Sequence, residues 1–186
     1  MIKQIIFLVL LGVLSISSFA QEIAKAPKYK SLEVGQRYIA SSSFEDMKNM
    51  GTTVLFDYAW QLSGYSGKPA GYISVPLGYT YLYSGTGTQT GGILSYGWAV
   101  RHDLKANKKT IPFFGYGLLL NQLRINGREG SSFGHQTRFD FGYLFNDNKN
   151  FSPYVKVEYS YTRYPHLDVA KSDKIHAFEV KAGVRF

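Results

Sequence analysis

From residue 31 to the end of the chain, bulky apolar side chains alternate with small or polar ones at a period of two. This is the spacing of β-strands that expose two unlike faces. It predicts eight strands, at about 31–41, 52–62, 70–84, 91–103, 110–124, 134–146, 151–164 and 174–186. The intervals between them are rich in Gly, Ser, Asn and Lys, and no segment has the periodicity of a long amphipathic helix. On the second strand Val54, Phe56, Tyr58, Trp60 and Leu62 oppose Thr53, Leu55, Asp57, Ala59 and Gln61. Later strands repeat the division: Phe139, Phe141 and Tyr143 oppose Arg138, Asp140 and Gly142; Val155, Val157 and Tyr159 oppose Lys156, Glu158 and Ser160; Phe178, Val180 and Ala182 oppose Glu179, Lys181 and Gly183.

Alternation alone fits a soluble barrel with an apolar interior equally well. The contrast between the faces decides otherwise. The apolar face is bulky and aromatic on nearly every strand, more volume than a narrow eight-stranded interior can hold, and lipid accepts it readily. The other face carries Gly, Ser, Thr and Ala with opposite charges two residues apart: Arg138 with Asp140, Lys156 with Glu158, Glu179 with Lys181. Small residues and compensated charges suit a tight interior. The prediction is therefore an all-β, eight-stranded antiparallel transmembrane β-barrel of up-and-down topology, closed because free sheet edges in hydrocarbon are costly. Asp57, Arg138, Asp140, Lys156, Glu158, Glu179, Lys181 and Arg185 are expected to form a buried polar network within it. Tyr38, Tyr72, Tyr83, Tyr154, Tyr161 and Tyr164, near strand ends, are expected at the headgroup level, where an amphipathic ring is favoured.

Residues 1–20 read as a secretory signal peptide. Lys3 is followed by an apolar stretch from Ile5 to Leu14 and a small-residue exit ending at Ala20. Residues 21–30 are expected as a short periplasmic segment and 31–186 as the barrel domain. The chain contains no Cys, which excludes disulfides, thiolate metal sites and a cysteine nucleophile. Without Lys3, 20 basic side chains face 13 acidic ones, a formal charge of +7. Export argues against nucleic acid as the partner, and attraction to anionic lipid headgroups is the better use of that charge.

The signal peptide, the eight strands and the end Phe178-Glu-Val-Lys-Ala-Gly-Val-Arg-Phe186 resemble the small outer-membrane β-barrel proteins of Gram-negative bacteria. The resemblance implies a multi-pass location in the outer membrane, with outer-membrane lipids, lipopolysaccharide and the barrel-assembly machinery as partners. Phe186, with Val184, Ala182 and Val180, matches the assembly signal of that family. Both chain ends would then be periplasmic, placing residues 42–51, 84–91, 124–134 and 164–174 outside. Residues 63–70, 103–110 and 146–150 would form the inner turns.

A narrower segment, Phe151 to Tyr164, is similar to the penultimate strand of outer-membrane lipid A deacylases. Those carry a His-x-Ser pair supported by a Glu. Here Ser160 stands at the histidine position and Thr162 at the serine position, so the base is missing. His135 and His166 are expected near the outer rim with Ser131, Ser132, Glu129, Thr162 and Asp168. Together these would contain the ingredients of an acyl-transfer site if they converged. His102 and His176 read as interfacial residues.

No His-Glu-x-x-His segment, calcium loop or phosphate-binding loop is present, and the four histidines lack ligand spacing. No catalytic residue, cofactor or metal site is therefore assigned. The expected function is a non-enzymatic outer-membrane barrel with a largely plugged interior. Its outer loops, with Arg124, Arg128, Arg163 and His166, would contact lipid, surface polymer or protein as a surface ligand. A rim lipid A ester hydrolase and a narrow channel are the alternatives.

Overall fold

A computed structural model describes residues 28–42, 50–63, 69–83, 89–104, 109–127, 130–145, 151–168 and 171–186. The expected signal peptide over residues 1–20, Arg128 and Glu129 lie outside these residues. Eight strands are present: β1 (Lys28–Ser42), β2 (Met50–Ser63), β3 (Gly71–Tyr83), β4 (Gln89–Asp103), β5 (Thr110–Ile125), β6 (Ser132–Phe145), β7 (Ser152–Asp168) and β8 (Lys171–Arg185). Each pairs antiparallel with its sequence neighbours, and β8 closes on β1, giving a closed up-and-down barrel. Closure satisfies the backbone donors and acceptors that an open sheet would strand in hydrocarbon.

The expected faces are realised. Leu118 is 68 % exposed, Val180 65 % and Trp98 59 %, all on the outer wall. Pointing inward from neighbouring positions are Asn121, Lys181 and Ala99, each buried. The barrel is thus apolar outside and polar inside, the reverse of a water-soluble one.

Three boundaries differ from the sequence reading. β1 begins at Lys28, within the segment expected to precede the barrel. Lys30 and Phe186 exchange backbone hydrogen bonds of 2.8 and 2.9 Å there, so the seam extends the strand. The expected outer loop 164–174 is mostly strand: β7 runs to Asp168 and β8 starts at Lys171, with a register shift between Tyr164 and Asp168. Turn composition had suggested a longer loop, and cross-strand pairing overrides it. The loop expected over 124–134 contracts to the interval between Ile125 and Ser132. Gly127 (φ 82°) and Gly130 (φ 85°) supply the left-handed backbone it needs.

Glycines inside strands serve close packing. A Cβ at Gly142 would overlap the Val155 carbonyl oxygen and stand 2.6 Å from the Phe113 ring. One at Gly115 would stand 2.7 Å from Asp140 Oδ1, its cross-strand partner's carboxylate. Gly91 and Gly92 stand at the start of β4, and a side chain on Gly92 would collide with the Tyr79 hydroxyl.

Candidate functional site

The lumen is layered along the barrel axis. At the end carrying the outer connections, Ile39, Leu82, Ile93, Leu123, Tyr164, Ile175 and Ala177 pack into one apolar cluster. At the opposite end Ile111, Phe113, Leu144 and Tyr154 form a second. Between them lies a charged band, because strand parity turns every acidic residue with a described side chain inward. Those acids are Glu33, Asp57, Asp103, Asp140, Glu158 and Glu179, six in all, and six cations face the same lumen: Arg37, Arg101, Arg138, Lys156, Lys181 and Arg185. The described lumen is therefore formally neutral, which lowers the cost of burying so many charges.

Glu158 is the hub of the band. Its Oε2 lies 2.8 Å from Lys181 Nζ, 3.7 Å from Arg138 Nη1 and 3.8 Å from Lys156 Nζ. Lys181 also reaches Glu179 Oε2 at 3.0 Å, and Arg37 Nε meets Glu179 Oε1 at 2.6 Å. Lys156 spans the lumen to Glu33 Oε1 at 2.9 Å, where the Tyr154 hydroxyl also donates at 2.7 Å. Asp57 accepts from Ser74 at 3.1 Å. Nearer the chain ends, Asp103 joins Arg101 at 2.9 Å and Arg185 at 3.9 Å, and the Arg101 guanidinium lies 3.7 Å above the Phe113 ring. The space left beside Asp57, Arg138 and Asp140 is about 20 Å³, room for roughly one water molecule. Among the described residues, apolar clusters toward both ends and the paired charges fill much of the lumen.

The network expected from the sequence is present with different partners. Around Glu158 the directly opposed residues carry like charges: Lys156 faces Lys181, and Glu158 faces both Glu179 and Asp140, while Arg37 and Glu179 across the β1–β8 seam are opposed and oppositely charged. Attraction therefore runs diagonally, from Glu158 to Lys181 and from Glu158 to Arg138. Glu33, Arg37, Arg101 and Asp103 complete the network. The same period-two pattern from Ser31 to Ile39 marks Glu33 and Arg37 as inward.

Half of the six tyrosines expected at headgroup level face inward instead. Tyr72, Tyr154 and Tyr164 are 8 %, 3 % and 0 % exposed. They share parity with Ser74, Lys156 and Thr162, so position near a strand end did not decide their direction.

The acyl-transfer ingredients do not converge. Thr162 is buried in the lumen, 3.4 Å from Asn121 Nδ2, which also donates to Gln136 at 3.0 Å. Ser160 is buried and accepts from Arg37 Nη2 at 3.2 Å. His135 is exposed on the outward parity of β6, across the barrel wall from both. Ser131 is exposed and accepts from Gln122 at 2.9 Å. His166 and Asp168 belong to β7, and their side chains lie outside the described residues. His102 stacks on Phe114 with ring centroids 4.8 Å apart, and His176 Nδ1 lies 2.7 Å from the Tyr159 hydroxyl. Both are wall residues among aromatic rings, as their parity implied. Among the described residues no group of three His, Asp or Glu is placed to hold a metal ion.

An inside-out wall around a polar, charge-balanced lumen defines an eight-stranded transmembrane β-barrel. No family model matches the chain, and no curated protein matches it in sequence. Among solved structures it is similar to Neisserial surface protein A, at 18 % identity over 85 % of this chain and 95 % of that one, with a TM-score of 0.65. It is also similar to the outer membrane enzyme PagL, at 19 % identity over 82 % of this chain and 97 % of that one, with a TM-score of 0.53. These likenesses are statements about fold.

Proposed function

We propose that this chain is a non-catalytic barrel of the outer membrane that works through its outer rim and lipid-facing wall. It would contact outer-membrane lipid and lipopolysaccharide, with a surface polymer or protein as a further ligand. The observation that carries this reading is the use of the lumen. Its charges pair with one another around Glu158, and apolar clusters pack toward both ends, which supports a lumen given to packing over passage or chemistry. The position of His135 on the outside and of Ser160 and Thr162 on the inside adds support, since a nucleophile needs its base within hydrogen-bond reach.

The test is incubation of refolded protein with purified lipid A, followed by measurement of released fatty acid. The expected result is none above buffer. Release that disappears in a Thr162→Val or His135→Ala variant would replace this reading with the ester hydrolase.

A further inference from the structure

We propose that two copies of this chain pair side by side within the membrane, through the wall around Gln36 of β1. The proposal goes beyond the function above and rests on the transmembrane wall alone. Gln36 is exposed on the outward face, on the same parity as exposed Val34 and Tyr38. Its depth follows from register. It lies opposite Val180, which is midway along the chain between outward Lys174 and the terminal Phe186. A primary amide therefore stands at the middle of the wall among apolar neighbours: Val34 is 50 % exposed, Val54 39 % and Val180 65 %.

The amide is only partly satisfied by its own barrel. Thr52 of β2, its cross-strand partner, donates to Gln36 Oε1 at 3.3 Å. An amide also carries two N–H donors, and among the described residues nothing accepts from them. At a water-facing position that would cost nothing. In hydrocarbon an unmet polar group is expensive, and polar side chains at membrane depth find partners across protein interfaces.

Chemistry and symmetry choose a second copy as that partner. Acyl chains offer no acceptor. Copies inserted by one route stand the same way up, so a two-fold axis along the membrane normal brings Gln36 of each to one depth. The amide both donates and accepts, so two of them satisfy each other reciprocally, N–H of one to carbonyl oxygen of the other. The wall permits the approach. Val34, Val54, Val180 and Ala182 surround Gln36 with short side chains, and Tyr38 and Phe178 flank it only toward the outer end. The opposite side of the barrel presents Trp98, Tyr116 and Phe139 instead. Short side chains let membrane-embedded surfaces come close enough for such bonds.

The chain contains no cysteine, so single cysteines report the contact. Refolded barrel is placed in phosphatidylcholine vesicles over a range of protein-to-lipid ratios and treated with a short bismaleimide. Ala182→Cys keeps Gln36 and stands beside Val180, its cross-strand partner, on the outward parity of β8. Leu118→Cys is equally lipid-facing but lies on β5, on the opposite side of the closed wall. The expected result is covalent dimer from Ala182→Cys and only a collisional trace from Leu118→Cys. Adding Gln36→Leu to Ala182→Cys should weaken association about tenfold, the factor for two hydrogen bonds between membrane-embedded side chains. Gln36→Asn should keep most of the association. Heat-modifiable electrophoretic mobility shows that each variant is folded. Equal cross-linking at the two positions, monomer at every ratio, or undiminished dimer in folded Gln36→Leu would each overturn the pairing.

Discussion

Three cations converge on Glu158, so replacing it with glutamine keeps its shape and removes the charge that holds them. At an effective dielectric of ~20, the pair with Lys181 at 2.8 Å is worth about 6 kcal/mol of Coulomb energy. Those with Arg138 at 3.7 Å and Lys156 at 3.8 Å contribute about 4–5 kcal/mol each on the same scale. Desolvation of the charges offsets most of this sum, and breaking one buried pair commonly costs about 3–5 kcal/mol net. Glu158→Gln should therefore lose about that much, because its partners are almost wholly buried and the lumen gains one uncompensated positive charge. Adding Lys181→Met restores the balance. Glu179 keeps Arg37 and Lys156 keeps Glu33, so the double variant should be more stable than Glu158→Gln alone. Urea unfolding in detergent or vesicles measures this, read by tryptophan fluorescence; Trp60 and Trp98 both lie on the outer parity and report the loss of a lipid environment. A Glu158→Gln loss below about 1 kcal/mol, or a double variant whose loss equals the sum of the singles, would refute the charge-balance argument.

Lys156→Ala should lower the thermal midpoint in detergent while the protein stays in the membrane fraction, since it leaves Glu33 without its 2.9 Å partner. Gly142→Ala should cost about 1–3 kcal/mol, the range for overpacking, because the new methyl group meets the Val155 carbonyl as well as the movable Phe113 ring; urea titration checks it. In planar bilayers containing concentrated KCl the protein should give no conductance steps, and regular steps would contradict a lumen given to packing.

Strand number and facing were legible because a side chain's direction in a strand follows from parity. Hence Asp57, Lys156, Glu158 and Lys181 were placed inside from their neighbours alone. Parity says nothing about which residues share a height around the barrel. Arg138 was paired with Asp140 on its own strand, whereas register puts Ser160 opposite Arg138 and brings Glu158 within 3.7 Å of it. His135 and Thr162 looked like neighbours because both sit near the outer rim, but opposite parity puts the wall between them. Tyr154 and Tyr164 were misplaced where an argument from composition was preferred to the parity already assigned on the same strand.

The charged band also crosses the seam where the sheet meets itself. Arg37 and Glu33 on β1 find Glu179 on β8 and Lys156, Tyr154 and Ser160 on β7, separations of more than a hundred residues along the chain. Before closure, a sheet growing from either end would carry these groups without their partners. Sealing the edge and neutralising the interior are consequently one cooperative event with a large loop-closure cost. Reopening must break the backbone ladder and strand buried charges in the same step. The seam therefore acts as a clasp whose resistance is kinetic, and a barrel that has once closed should persist far longer than its equilibrium stability alone would suggest.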